Sequence, residues 1–150
     1  MQQLVFLRAT LSDIPELLAM MGEFNAGADY PFNPELAAAN LQAFILDLRL
    51  GALWTIQAGT VTIGYLILAF GFSFEHGGRD AFIDELFLKK EFRQVGLGKQ
   101  TLEFVERQAK VLNVNVIHLE VERSNTDAAK LYRNKGFTDN GRILLSKRVK

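Results

Sequence analysis

Ile83-Asp84-Glu85-Leu86-Phe87-Leu88-Lys89-Lys90-Glu91-Phe92-Arg93-Gln94-Val95-Gly96-Leu97-Gly98 reads as a buried strand that runs into a glycine-containing turn, which opens a helix. The apolar cluster Phe82, Ile83, Leu86, Phe87, Leu88 is too short and too aromatic for a helix and suits a strand. Leu102, Val105, Ala109 and Leu112 then fall three or four apart, on one face of a helix. A helix N-terminus carries backbone N–H groups without intrahelical partners and a partial positive charge. Glycines just before it clear the approach of a phosphate. The stretch therefore reads as an anion site, or else as an ordinary strand-to-helix turn. Two other phosphate loops are excluded. The Walker pattern needs a glycine where Arg93 stands and Ser or Thr where Gln100 stands, and the dinucleotide fingerprint needs a third glycine where Thr101 stands.

The chain of 150 residues is long enough for one domain with a real core, and 49% of it is apolar, with twelve Phe. Seventeen basic residues balance seventeen acidic ones, which argues against a dedicated nucleic-acid binder. The basic tail Arg142, Lys147, Arg148, Lys150 reads as a solvated edge strand. With no cysteine, a disulfide framework, thiolate metal sites and a cysteine nucleophile are excluded. No signal-peptide pattern and no membrane-spanning apolar run of ~20 residues is present, so a cytoplasmic protein is expected.

In chain order, Leu4 to Arg8 reads as a strand, and Ser12 or Asp13 caps a helix, with Glu16 completing a capping box if Asp13 is the cap. Ile14, Leu17, Leu18, Met21 and Phe24 form its buried stripe. Asn25 to Asn33 is a loop, and Pro34 opens a second helix with Ala37, Leu41, Phe44, Ile45 and Leu48 on its apolar face. Strands are expected over Ala52–Ala58 and Thr60–Phe72, then a turn over Phe74–Asp80. After the central strand and its helix come a strand over Val116–Glu122 and a helix over Asn125–Lys135 that stops at Gly136. Phe137–Asp139 and Ile143–Val149 are expected to close a hairpin around Asn140-Gly141. The order describes one mixed α/β (α+β) domain over 1–150: a mostly antiparallel twisted sheet of about seven strands with about four helices.

The second informative stretch is Asn125-x-x-Ala128-x-x-Leu131-Tyr132-x-x-x-Gly136-Phe137. By itself it reads equally as a short amphipathic helix with a core tyrosine. Its six fixed positions coincide by chance in fewer than about one window in a million at average residue usage. Together with Arg93-x-x-Gly96-x-Gly98, the pattern resembles the GNAT superfamily of acetyl-CoA-dependent N-acetyltransferases over essentially the whole chain. The departures are Gln94, where the family usually has glycine, and Lys89-Lys90, where it often has a proline-containing turn.

The resemblance implies a splayed V between strands 83–88 and 116–122, with the pantetheine arm of acetyl-CoA hydrogen-bonded to backbone at Leu86 and Leu88, beside Phe87. It implies that the pyrophosphate rests on amides of Arg93, Gln94, Val95, Gly96, Leu97, Gly98 and Lys99, with Asn125 and Ala128 also near the cofactor. It implies Tyr132 as the acid that protonates the departing thiolate, and the Leu86 N–H as oxyanion donor. Tyr132 as a satisfied core residue is the other reading.

An amine with a pKa of ~10.4 must lose a proton before it attacks. Asp84 and Glu85 are the candidate bases. Adjacent strand residues face opposite ways, so only one should enter the cleft unless a bulge intervenes; both could instead be solvated carboxylates. Asp29, Tyr30 and Phe32 are candidate acceptor-site residues, because their loop borders the cleft in the family. A cationic amine would also suit Glu23, Glu75 or Glu85. His118 could be a cleft base or merely half-exposed, and His76 reads as a solvent-facing loop residue. Two distant histidines make a metal site unexpected. The expectation is an acetyltransferase acting on a primary amine, without metal, nucleic acid or membrane, whose edge strands near the C-terminus could pair into a homodimer. The alternatives are a non-catalytic CoA sensor of the same fold and a module binding nucleotide phosphates at Gly96-Leu97-Gly98.

Overall fold

A computed structural model describes residues 2–93 and 95–150. Residues 1–120 and 121–150 form two compact units. The first holds a five-stranded sheet in the order β1 (Leu4–Arg8), β2 (Gly51–Ala58), β3 (Val61–Ser73), β4 (Gly78–Leu88), β5 (Val116–His118). All neighbours are antiparallel except β4 and β5. The parallel pair is possible because α3 (Leu97–Val111) supplies the crossover.

Alternation along the strands sends two sets of side chains to two layers. Leu53, Tyr65, Ile67 and Phe87 meet Leu17, Met20 and Met21 of α1 (Ile14–Gly27) and Leu41 of α2 (Pro34–Leu46). On the opposite face α3 packs through Phe104, which stacks on Phe6 at 3.9 Å and meets Trp54 edge-on at 5.2 Å. Burying a phenylalanine contributes roughly 1.5–3 kcal/mol, so Phe104 is a main fastening of α3. Gln100 adds a polar one: its Oε1 accepts from Leu4 N and its Nε2 donates to Gln2 O.

Helix starts follow local chemistry. Asn33 Oδ1 accepts from Leu36 N, so α2 opens at Pro34 as read from the sequence. Ahead of α1 the capping differs from expectation. A short 3₁₀ turn (Leu11–Asp13) intervenes, and Asp13 reaches back to Thr10 N at 2.8 Å instead of pairing with Glu16.

The sheet is shorter at its end than the seven strands expected. The ladder of β5 stops at His118, three register pairs in all, where a strand to Glu122 was expected. Conversely β4 begins at Gly78, so Arg79 and Asp80 belong to the strand instead of the turn. The second unit contains α4 (Thr126–Asn134), capped by Asn125 Oδ1 accepting from Ala128 N. Asn140-Gly141 does form a turn, with Gly141 at φ +73° and Asp139 Oδ1 accepting from Gly141 N. The flanking segments 137–139 and 143–149 carry no strand, however, and Ile143, Leu145 and Val149 are 84%, 87% and 85% exposed. An alternating segment becomes a strand only when a partner edge satisfies its backbone. Among the described residues no helix is long and apolar enough to cross a membrane.

Candidate active site

The decisive local feature is a bulge in β4. Leu68 stands opposite Ile83 and Ile67 stands opposite Glu85, leaving Asp84 as the extra residue. In a regular strand Ile83 and Glu85 would share a face. The bulge separates them: Glu85 follows the alternation of Phe87 and shares the face of Ile67 and Tyr65, the side covered by α1 and α2, while Ile83 stands opposite Leu68 on the other. Asp84 and Glu85 consequently line one cavity of about 380 Å³. Its other walls come from α1 (Met21, Asn25), the following loop (Phe32, Asn33) and α2 (Asn40, Phe44). The one condition under which both carboxylates could enter a single cleft is met.

Glu85 does not stand alone there. The Tyr65 hydroxyl donates to its Oε1 at 2.7 Å. Tyr65 is fully buried, and a buried hydroxyl needs a partner. Burial pushes the Glu85 carboxyl above the usual range, the Tyr65 hydrogen bond pulls it back, and neighbouring Asp84 adds to the upward push. Burial first, and then Glu85, drive the Tyr65 phenol far upward, so it is a permanent donor. The chemical result is a carboxylate with one oxygen held, the other available and its proton affinity raised toward neutrality.

Sequence reasoning did not single out Tyr65. The available signal was a phenol inside the otherwise apolar run Ile63–Phe72, which has to find a hydrogen-bond acceptor on a neighbouring strand.

The anion turn lies at the other end of β4. Gly96 is in the left-handed region at φ +78° and stands at the N-cap of α3 without a side-chain cap. That conformation favours glycine, and its missing side chain leaves the first-turn amides uncovered by a cap. Val95, Gly96 and Lys99 are exposed, Gly98 is half-buried, and Leu97 is turned into the core. Arg93 lies over the Phe87 ring at 5.5 Å and its Nε donates to Leu88 O at 2.7 Å. Gln94 lies outside the described residues.

Between turn and bulge, β4 presents a main-chain edge. Lys89 N donates to Ile63 O, so Lys89 and Phe87 direct their backbone toward β3. By alternation, Leu86 and Leu88 direct theirs the other way. On that side the β5 ladder ends at Phe82, so among the described residues no strand pairs with Leu86 or Leu88. An uncapped helix start next to a strand edge that no described strand covers, with only the Leu88 carbonyl engaged by Arg93, fits an extended ligand that ends in phosphate.

The remaining candidates fall as follows. Phe32 lines the cavity, with its ring packed toward Gly22. Asp29 and Tyr30 are exposed in the same loop and are not among the described lining residues. In the second unit, Ala128 and Tyr132 are on the half-buried side of α4, and burial pushes the Tyr132 phenol up. Its ring meets Phe137 edge-on at 6.0 Å. His118 Nε2 is 3.0 Å from Asp80 Oδ2, and its ring lies 5.5 Å from that of His76. Neither histidine is among the described residues lining the cavity. No group of three or more His, Cys, Asp and Glu among the described residues is arranged to hold a metal ion.

The fold has clear relatives. The model of the acetyltransferase (GNAT) family matches residues 17–137, and the chain belongs to that family. An uncharacterized N-acetyltransferase encoded in the pepI 3′ region of Lactobacillus delbrueckii subsp. lactis is 36% identical over 56 residues. The match covers 37% of this chain and 32% of that protein, so the chain spans about a third of the length of that curated relative. Among solved structures, integron cassette protein HFX_CASS3, from the mobile metagenome of Cole Harbour Salt Marsh, superposes with a TM-score of 0.87 at 30% identity. That match covers 97% of this chain and 90% of the other. The aminoglycoside N-acetyltransferase AAC(6')-Iy, solved in complex with CoA, gives a TM-score of 0.82 at 16% identity, over 100% of this chain and 97% of that one. At that identity the likeness is one of fold.

Proposed function

We propose that this protein is an N-acetyltransferase that moves an acetyl group from acetyl-CoA to a primary amine, by direct attack within a ternary complex. The observation that carries the reading is the β4 bulge, which brings Asp84 into one cavity with the Tyr65-held Glu85, on a strand whose edge no other described strand covers there. Family membership and the CoA bound by AAC(6')-Iy support the choice of donor.

The residues fit that donor. Main-chain amides from Arg93 to Lys99 would hold its diphosphate, and the backbone of Leu86 with the N–H of Leu88 would pair with its extended arm, the Leu88 carbonyl being held by Arg93. Bound there, acetyl-CoA supplies an activated acetyl thioester. The chain's own groups do the rest. The two carboxylates attract an ammonium. Glu85, through its free oxygen, takes the proton that makes the amine a nucleophile, and its raised proton affinity brings it nearer the working pH. The N–H of Leu86 donates to oxygen charge developing at the edge. The Tyr132 hydroxyl, kept neutral by burial, gives a proton to the departing sulfur.

The test has two arms. Calorimetry should give tight CoA binding and none comparable with ATP. Acetyl-CoA with a panel of amines should release free thiol in an amine-dependent manner. Tight ATP binding without CoA binding would reverse the reading.

A further inference from the structure

The cavity's lining says which amines it takes, and this inference rests on the acetyltransferase reading for the reaction but not for the binding. Its walls are mostly carbon: Met21, Phe32, Leu36, Phe44, Leu53 and Ile67 among them. Charge is confined to one place, the adjacent pair Asp84 and Glu85. No lysine or arginine is among the described lining residues. The other polar groups are three asparagines, two of them already engaged locally: Asn25 Nδ2 donates to Met21 O and Asn33 Oδ1 accepts from Leu36 N.

Each feature excludes a ligand class by a separate cost. A carboxylate on the acceptor would face two carboxylates with no counter-charge, and like charges brought together in a partly dry site are strongly disfavoured. A second ammonium, as in a polyamine, would find no further carboxylate among the described lining residues beyond the one adjacent pair. A sugar's ring of hydroxyls would leave most of its hydrogen bonds unmade. A single ammonium attached to a ring-sized apolar group satisfies the cavity: the charge meets the carboxylates and the apolar part meets Phe32, Phe44 and Leu53. The volume, about 380 Å³, lies at the lower end of small-ligand sites.

We infer that the acceptor is a monocationic primary amine on a short arm, joined to an apolar ring-sized group and carrying no carboxylate.

The experiment compares 2-phenylethylamine with phenylalanine, spermidine and kanamycin. Binding is measured by calorimetry on the protein alone and on the protein saturated with CoA, and thiol release from acetyl-CoA is followed separately. Phenylethylamine should bind at least ~10-fold tighter than phenylalanine and be acetylated with a kcat/KM about 100-fold higher, in keeping with an unpaired charge near two carboxylates. Asn40→Arg tests the cause. Asn40 is exposed on α2 and lines the cavity, so an arginine there adds the missing cation without removing apolar wall. It should narrow the phenylethylamine-to-phenylalanine ratio about 10-fold. Equal or better use of phenylalanine, spermidine or kanamycin by the unaltered protein would overturn the inference while leaving acetyl transfer standing. An unmoved ratio in Asn40→Arg would overturn it too. Selective amine binding without any CoA binding would instead keep the inference and remove the acetyltransferase reading.

Discussion

The Tyr65 hydroxyl reaches Glu85 diagonally across the β3–β4 ladder: Tyr65 stands opposite Phe87 and Glu85 opposite Ile67, yet the bond is 2.7 Å. Diagonal neighbours on one face are within reach of a long side chain. They share a face because Glu85 and Phe87 lie two apart in a regular stretch of the ladder, whereas the bulge at Asp84 shifts the alternation of the residues before it. The inserted residue brings Asp84 to the cavity that Glu85 already lines, beside the acceptor of the buried phenol.

Glu85→Gln separates chemistry from folding. Glutamine keeps an oxygen for the Tyr65 hydroxyl but cannot take a proton, so kcat/KM should fall by about 10²–10³, the usual size of a general-base contribution. Stability should move the other way. Because burial raises the folded-state pKa above the ordinary 4.5, the folded chain holds more protons than the unfolded one between those values. The wild type therefore loses stability as pH rises through that window, and the loss persists above it. The variant lacks this slope, so melting at pH 5 and pH 8 should show Glu85→Gln at least as stable as wild type at the higher pH.

Tyr65→Phe removes the contribution that lowers the Glu85 pKa and leaves burial and Asp84 to act alone. The acidic limb of the kcat/KM profile should move to higher pH. Stability should fall by about 1–2 kcal/mol, the cost of a lost buried hydrogen bond. A profile that keeps its acidic limb in place would mean that Glu85 is not the group titrating in it.

Much of this arrangement is legible in the residues, and the limits are physical. The β4-to-α3 passage is announced by local signals, an aromatic strand followed by Gly96 and Gly98, and α2 starts where Asn33-Pro34 says it should. The bulge is not so announced. Nothing in Ile83-Asp84-Glu85-Leu86 distinguishes a regular strand from a bulged one, because the choice depends on register against Ile67 and Leu68. Tyr65 is missed for a related reason: its role exists only once the register of β3 against β4 sets it diagonally across from Glu85. Ile143–Val149 shows the opposite failure. Its alternation is genuine, but a pattern cannot state which edge it pairs with, and no ladder forms there among the described residues.

Two glycines should respond oppositely to alanine. A Cβ on Gly64 would lie 2.1 Å from the Phe87 carbonyl oxygen, so β3 and β4 would have to separate beside the bulge. Gly64→Ala should cost about 3 kcal/mol or more, as a backbone clash in a packed sheet. A Cβ on Gly22 would meet the Phe32 ring at an ordinary 3.7 Å inside α1. Gly22→Ala should gain up to ~1 kcal/mol from helix propensity. Thermal melts of the two variants check both signs.

Tyr132→Phe tests the proposed acid. The phenol's raised pKa keeps it protonated through neutral pH, so losing the hydroxyl should lower kcat by about 10–100-fold and remove the alkaline limb of its pH profile. CoA affinity should change by less than about 3-fold, since the ring remains. Undiminished kcat would return Tyr132 to a packing role.

Gly98→Asp tests the anion turn, and its strength is that folding and binding should part company. Gly98 is the second residue of α3 after the Gly96 cap. Glycine is a poor helix residue, by about 1 kcal/mol against alanine, and a carboxylate in the first turn complements the positive end of the dipole by 0.3–1 kcal/mol, about the size of one exposed ion pair. The melting temperature should therefore hold or rise. The same carboxylate would stand where the diphosphate is proposed to rest, adding bulk and a like charge among the amides that bind it. CoA affinity measured by calorimetry should drop at least about 100-fold, while binding of a small amine such as 2-phenylethylamine to the cavity between α1, α2 and β4 should be unaffected. A variant that melts as predicted yet still binds CoA at full strength would show that the diphosphate is held somewhere other than the start of α3.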